Sequence, residues 1–208
     1  MKTDIEEILH KLNEWFKDKN KLVIAIDGYS GVGKTTILEE IAKANKNVLA
    51  IYLDDFILTG KEREKSLLKS KDKPNVFELN WYDYKKVKDL VGKFRNNTGI
   101  YSTKIYDPKT DSYDKNKEFD LSKKILIIEG VFLLHSELFK NTWDKTIYLK
   151  TDFKKADERR IIREKKKWGK DYYPEDKDGS FTKLFKIAYR NYISKYNPEK
   201  SADLIIKI

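Results

Sequence analysis

The segment from Lys21 to Thr36 constrains this chain more than any other. Lys21 to Asp27 (KLVIAID) is a continuous apolar run ending in a carboxylate, as expected of a strand buried on both faces. It leads directly into Gly28-Tyr29-Ser30-Gly31-Val32-Gly33-Lys34-Thr35, which matches G-x-x-x-x-G-K-[ST]. Glycines there let backbone amides converge on phosphate oxygens with no Cβ in the way. The partial positive charge of a helix N-terminus adds to the attraction. Lys34 is placed to neutralise the β and γ oxygens, and the Thr35 hydroxyl to coordinate magnesium. Random usage would yield such a string about once in a hundred chains of this length. Its position between a buried strand and a helix makes chance a poor explanation. Gly28, Ser30, Gly31, Val32, Gly33, Lys34, Thr35 and Thr36 are therefore the expected nucleotide contacts, with a nucleoside triphosphate and Mg2+ as the bound species.

The flanking pattern alternates strand and helix. Ile5, Ile8, Leu9, Leu12, Trp15 and Phe16 recur at helical spacing over residues 3–18, and a helix is expected from about Gly33 to Ala44. Asn47 to Leu53, Ile125 to Ile128, Thr146 to Leu149 and Ala202 to Lys207 read as further strands, and Gly99 to Tyr106 as a short one with a turn at Asp107-Pro108. Helices are expected over about 81–95, 153–167 and 181–196. The stretch 61–74 (KEREKSLLKSKDKP) reads as a charged, mobile flap. Such alternation predicts a three-layer α/β P-loop NTPase fold: a mostly parallel five-stranded sheet, helices on both faces, and a helical lid. With 208 residues, one domain over 1–208 is expected. Its core would span about 21–58 and 121–208, the flap and acceptor-side region about 59–120, and the lid about 153–172.

Composition narrows the chemistry. No cysteine is present, which removes disulfides, thiolate metal sites and a thiol nucleophile. The two histidines, His10 and His135, are too few for a His-based zinc centre and read as local surface or helix-end residues. No run reaches the ~20 apolar residues of a membrane span, and the N-terminus is acidic and amphipathic, unlike a secretory signal. The expectation is a cytoplasmic protein with no membrane partner. The net charge of +10 is spread along the chain among 34 acids. That spread argues for solvated lysine-rich faces, and for a field favouring an anionic ligand, over a nucleic-acid interface. An ATP-binding regulatory or nucleic-acid-associated protein is the alternative reading. Oligomeric state is left open, self-association included.

Three further segments bear on the fate of the phosphate. Tyr52-Leu53-Asp54-Asp55-Phe56 places acids at the end of the second strand, which in such a sheet faces the γ-phosphate, where a carboxylate can accept a hydroxyl proton. Glu129 ends a buried strand and is followed by Gly130, suiting it to a magnesium site. Arg159 and Arg163 lie four residues apart, on one helix face, with Arg160 beside them and Lys170 just beyond. A GTPase would need an Asn-Lys-x-Asp guanine reader, and Asn45-Lys46-Asn47-Val48 lacks its Asp. A transporter ATPase would need a serine-glycine-rich signature that this chain does not contain.

In this order the strings resemble the uridine–cytidine kinase and phosphoribulokinase superfamily, whose relatives include nicotinamide riboside kinases and bacterial pantothenate kinases. GYSGVGKTT resembles its phosphate loop, YLDDF its second-strand motif, KIYDPKTDSY its substrate-side Tyr-Asp motif, ILIIEGVFLL its Glu-Gly strand and RRIIREKKKWGKD its lid. SKYNPEKSADLIIKI resembles its closing strand, so the likeness covers most of residues 21–207. It implies transfer of the ATP γ-phosphoryl group to a hydroxyl of a nucleoside or similar metabolite. By that resemblance Asp54 is the base, with Asp55 its neighbour, and it also faces a metal held by Thr35 and Glu129. Lys34, Arg159 and Arg163 stabilise the transferring group, Lys170 adding to them, while Tyr106 and Asp107 lie on the acceptor side. Trp81, Tyr82 and Tyr101 read as core aromatics. Where uridine kinases carry a His and an Arg, this chain has Asp111 and Tyr113, and Pro108 stands at an aromatic position. Ala156 and Trp168 replace lid residues too, so the acceptor is left unnamed.

Overall fold

Strand alternation splits the core into two layers, one on each side of a parallel sheet. The structure, a computed structural model, describes residues 2–172 and 180–208. In chain order its elements are α1 (Lys2–Phe16), β1 (Leu22–Gly28), α2 (Lys34–Ala44), β2 (Val48–Tyr52), a 3-10 turn (Leu53–Phe56), α3 (Gly60–Lys69), α4 (Lys73–Leu79) and α5 (Tyr84–Asn96). There follow β3 (Ile100–Asp107), β4 (Ser112–Asp120), β5 (Ile125–Gly130), β6 (Lys145–Lys150), α6 (Phe153–Trp168), α7 (Phe181–Tyr196), α8 (Pro198–Ser201) and β7 (Leu204–Lys207). The five-stranded sheet has the order β2-β5-β1-β6-β7, and every pairing in it is parallel. Among the described residues no helix is long and apolar enough to cross a membrane.

Side chains of β1 point alternately to the two faces. Leu22, Ile24 and Ile26 meet Ile8 and Leu12 of α1 and Ile37, Leu38 and Ile41 of α2. Val23 and Ala25 face the opposite layer, built from Val87, Leu90, Val91 and Phe94 of α5 with Ala188, Tyr189 and Tyr192 of α7. All seven residues of β1 are buried, which is why it reads as an unbroken apolar run rather than an alternating one. Register then places the chemistry. Tyr52 lies opposite Glu129 and Asp27 opposite Gly130, so the C-terminal ends of β1, β2 and β5 come together at one edge of the sheet, where ligands of such folds bind.

The stretch 61–74, expected to be a flap, holds most of α3 and the start of α4. Thr59 caps α3 in a capping box with Glu62, and Asp72 caps α4, which has a proline in its first turn. These caps satisfy amides that would otherwise fray. The third predicted helix begins at Tyr84 rather than near residue 81, because the Asp83 side chain accepts from Lys86 N and starts it there. Residues 112–120, not expected to be a strand, pair antiparallel with β3 from Ile100↔Asp120 to Asp107↔Ser112.

Candidate active site

Backbone conformation and, at Gly31, close packing reserve positions of the phosphate loop for glycine. Gly31 and Gly33 have φ of 87° and 103°, a region that L-residues seldom adopt. A Cβ on Gly31 would sit closer than 3.0 Å to the Ala156 carbonyl oxygen at the start of α6. Lys34 opens α2, is buried, and its Nζ donates to Gly28 O at 2.8 Å and Tyr29 O at 3.0 Å. Burial lowers its pKa, while the charges of Glu129, Asp27 and Asp54 act the other way.

The two acids after β2 separate. Asp54 lines the cavity above the loop, with the Tyr82 hydroxyl 3.5 Å from its Oδ1. Asp55 turns away to the hairpin, where Lys117 Nζ meets it at 2.5 Å. Glu129 is buried at the end of β5 and accepts from Thr35 Oγ1 at 2.9 Å. Desolvation raises the pKa of both Asp54 and Glu129, of Glu129 by burial and of Asp54, which stays open to the cavity solvent, by the walls crowded around it. The Lys34 charge is the first influence opposing it in each case. Thr35, Asp54 and Glu129 form a set of hard oxygen donors, the chemistry magnesium takes.

Arg159, Arg160 and Arg163 of α6 line the same cavity. Arg160 donates to Asp157 Oδ1 at 2.9 Å and to Thr182 Oγ1 at 3.3 Å, tying α6 to the start of α7. Arg163 pairs with Glu164 at 3.0 Å, whereas Arg159 has no ion-pair partner among the described residues. The remaining wall is aromatic, with Phe77, Trp81, Tyr82, Phe132, Phe181 and Phe185 around about 1080 Å³. Phe77 and Trp81 stack at 3.9 Å, and the Arg63 guanidinium sits over the Trp81 ring at 4.9 Å. Phe181 packs edge-on to Trp81 at 5.7 Å, yet stays 60% exposed at the cavity mouth.

Of the expected nucleotide contacts, Ser30, Gly31, Gly33, Lys34, Thr35 and Thr36 line this cavity. Gly28 lies beneath it, where a Cβ would meet the Leu149 carbonyl oxygen at 2.9 Å, and Val32 is buried in the layer under β1. Tyr106 and Asp107 are not brought together with Asp54. Tyr106 OH donates to Asp111 Oδ1 at 2.8 Å beside Arg63, and Asp107 accepts from Lys109 N in the hairpin turn. Lys170 lies outside the lining, whereas Trp81 and Tyr82, read as core, are both core and cavity wall. Tyr101 stacks on Phe119 in the hairpin, at 6.5 Å.

Two buried groups carry structure that sequence reasoning missed. Asp27, at the end of β1, is wholly buried and accepts from Gly28 N, Leu134 N and Tyr192 OH. His135, expected at the surface, has no exposure. Its Nδ1 accepts from Glu137 N and Leu138 N, so its proton sits on Nε2, 3.0 Å from Glu78 Oε1. Asp27 was visible as the carboxylate closing an apolar run; nothing around His135 in the sequence signals its burial.

A profile of the phosphoribulokinase / uridine kinase family matches residues 23–208. A uridine kinase of Clostridium novyi is 31% identical over 156 residues, 72% of this chain and 71% of its own. One from Brevibacillus brevis is 27% identical over 195 residues, 90% of this chain and 85% of its own. In structure, a protein from Bacillus stearothermophilus described as a possible uridine kinase superposes with a TM-score of 0.72, covering 99% of this chain and 98% of that one at 20% identity, a likeness of fold. The chain belongs to the phosphoribulokinase / uridine kinase family, and it is a phosphotransferase with a hydroxyl group as acceptor.

Proposed function

We propose that this protein transfers the γ-phosphoryl group of ATP to a hydroxyl of a nucleoside or a similar ring-bearing metabolite. One observation carries the reading: a single cavity holds the phosphate-loop residues Lys34 and Thr35, the carboxylates of Asp54 and Glu129, and three arginines of α6. Its volume of about 1080 Å³ lies just above the ~300–1,000 Å³ common for one ligand, room for a triphosphate and an acceptor side by side. The relatives named uridine kinase support a nucleoside-like acceptor, and the aromatic wall of Phe77, Trp81 and Phe181 suits a flat ring.

In this mechanism the loop amides and Lys34 hold the triphosphate, Lys34 exchanging its two carbonyl partners for phosphate oxygens. Thr35, with Glu129 and Asp54 behind it, would hold a magnesium ion arriving on the triphosphate, which when bound neutralises the β and γ oxygens. Asp54 accepts the acceptor's proton, and its raised pKa suits it to a base working nearer neutrality than an exposed aspartate. Arg159 and Arg163 close over the transferring group and exclude water, suppressing plain ATP hydrolysis. An ADP-release screen over nucleosides, pantothenate, nicotinamide riboside and sugars, with a no-acceptor control, tests the reading. Release stimulated by one ring-bearing alcohol supports it, and release indifferent to every acceptor refutes it.

A further inference from the structure

The carboxylate of Asp27 has two oxygens with different partners. Oδ1 accepts from Gly28 N at 2.6 Å, fixing the peptide that enters the phosphate loop. That residue's carbonyl is also where Lys34 Nζ docks. Oδ2 accepts from Tyr192 OH, 2.5 Å away on α7, and from Leu134 N at 3.1 Å. The same α7 carries Phe181 and Phe185 into the cavity wall, and the loop holding Leu134 carries Phe132. Asp27 is entirely buried, and Tyr192 has no exposure. A charge so placed persists only where its oxygens are saturated with donors, and here each donor comes from a different part of the site. The proposed transfer chemistry uses neither residue.

We propose that Asp27 and Tyr192 are positioning residues for the triphosphate, a buried clasp that sets the entrance of the phosphate loop and couples it to α7. Without the Tyr192 hydroxyl, Oδ2 loses one of its two donors and the carboxylate can turn, releasing the Gly28 peptide from the orientation that the loop amides need. Binding must then reorder the loop, and affinity for the phosphate tail falls. This inference rests on the nucleotide-binding half of the function proposed above and is independent of the acceptor.

Calorimetric titration of the full chain with a non-hydrolysable ATP analogue and magnesium tests it, with no acceptor present. Tyr192→Phe should weaken binding roughly tenfold, the scale of one hydrogen bond to a charged group, at temperatures where circular dichroism shows it fully folded. Asp27→Asn cannot accept on both sides and should weaken binding at least as much. The double variant should be no worse than the weaker-binding single, as for residues acting through one contact. Tyr189→Phe is the control: it removes a buried hydroxyl from the same helix, one that faces Tyr148 at 3.3 Å, and should leave affinity within about twofold. Tyr192→Phe binding as tightly as wild type, or Tyr189→Phe losing as much, overturns the clasp. Wild-type protein that fails to bind the analogue overturns the nucleotide reading itself, and the clasp with it.

Discussion

Placing a methyl group on Gly31 tests how closely the phosphate loop is fitted to α6. Two glycines of the loop serve as each other's reference. Gly33 has φ of 103° and open space where a Cβ would go, whereas Gly31 has φ of 87° with the Ala156 carbonyl oxygen inside 3.0 Å and Arg160 Cβ at 3.2 Å. Gly33→Ala therefore meets only conformational costs, about 1–3 kcal/mol for a sparsely populated backbone region. Gly31→Ala meets a similar cost plus an overlap with backbone that cannot rotate aside, typically about 1–3 kcal/mol more. A total loss of roughly 2–6 kcal/mol is expected, read as a fall in urea midpoint at unchanged slope. Relief is available only by moving α6, so Gly31→Ala should also speed amide hydrogen exchange along Phe153–Trp168, and Gly33→Ala should not. Equal destabilisation of the two variants, with α6 exchange unaltered in both, would refute the fit described here.

Other perturbations follow from Asp54, Glu78 and Trp81. Because the surrounding cavity walls partly desolvate Asp54 and raise its folded-state pKa, the folded state binds its proton more tightly than the unfolded chain does, so this group's stabilising contribution is lost as pH rises through the folded value. Asp54 is itself open to the cavity solvent, so screening keeps the effect small: Asp54→Asn should gain less than about 1 kcal/mol over wild type at pH 7, with the gain vanishing below about pH 4, where unfolded-state aspartates are protonated; urea melts at the two pH values check this. Glu78→Ala removes the buried side chain whose Oε1 lies 3.0 Å from His135 Nε2 and should cost about 1–3 kcal/mol, whereas Glu78→Gln keeps its shape and polarity and should cost less than about 1 kcal/mol. Equal losses in these two variants would remove the Glu78–His135 contact from the account of the core. Replacing Trp81 with Ala should raise the acceptor KM severalfold while changing the ATP KM little, as steady-state kinetics with the identified acceptor would show.

Sequence made the sheet legible because its central strands β1 and β5 are buried along their whole length and so stand out as apolar runs between turns. Helix α7 was read to its observed limits, Phe181–Tyr196, since its apolar residues recur at helical spacing. Strand β4 (SYDKNKEFD) carries almost no apolar signal: the hairpin is largely exposed, and only its pairing with β3 makes it a strand. Helix α3 did carry a signal, the Thr59-Gly60-Lys61-Glu62 capping box, hidden within a run of charge. In the site, motif order identified the phosphate loop and its acids, but Asp54 and Asp55 are adjacent and chemically alike. Only the turn geometry that sends Asp55 to Lys117 tells them apart. The aromatic wall of the cavity was least legible, because Phe77 of α4, Trp81 just beyond that helix and Phe181 of α7 converge from distant parts of the chain.

The central claim is that Asp54 faces the terminal phosphate held by the loop and takes the proton of the acceptor hydroxyl. Acceptor-dependent ADP release by Asp54→Asn, measured alongside its affinity for ATP, tests this most directly. The account predicts turnover lower by roughly 10²–10⁴ with ATP affinity within a few-fold of wild type. Turnover equal to wild type at saturating substrates would contradict it.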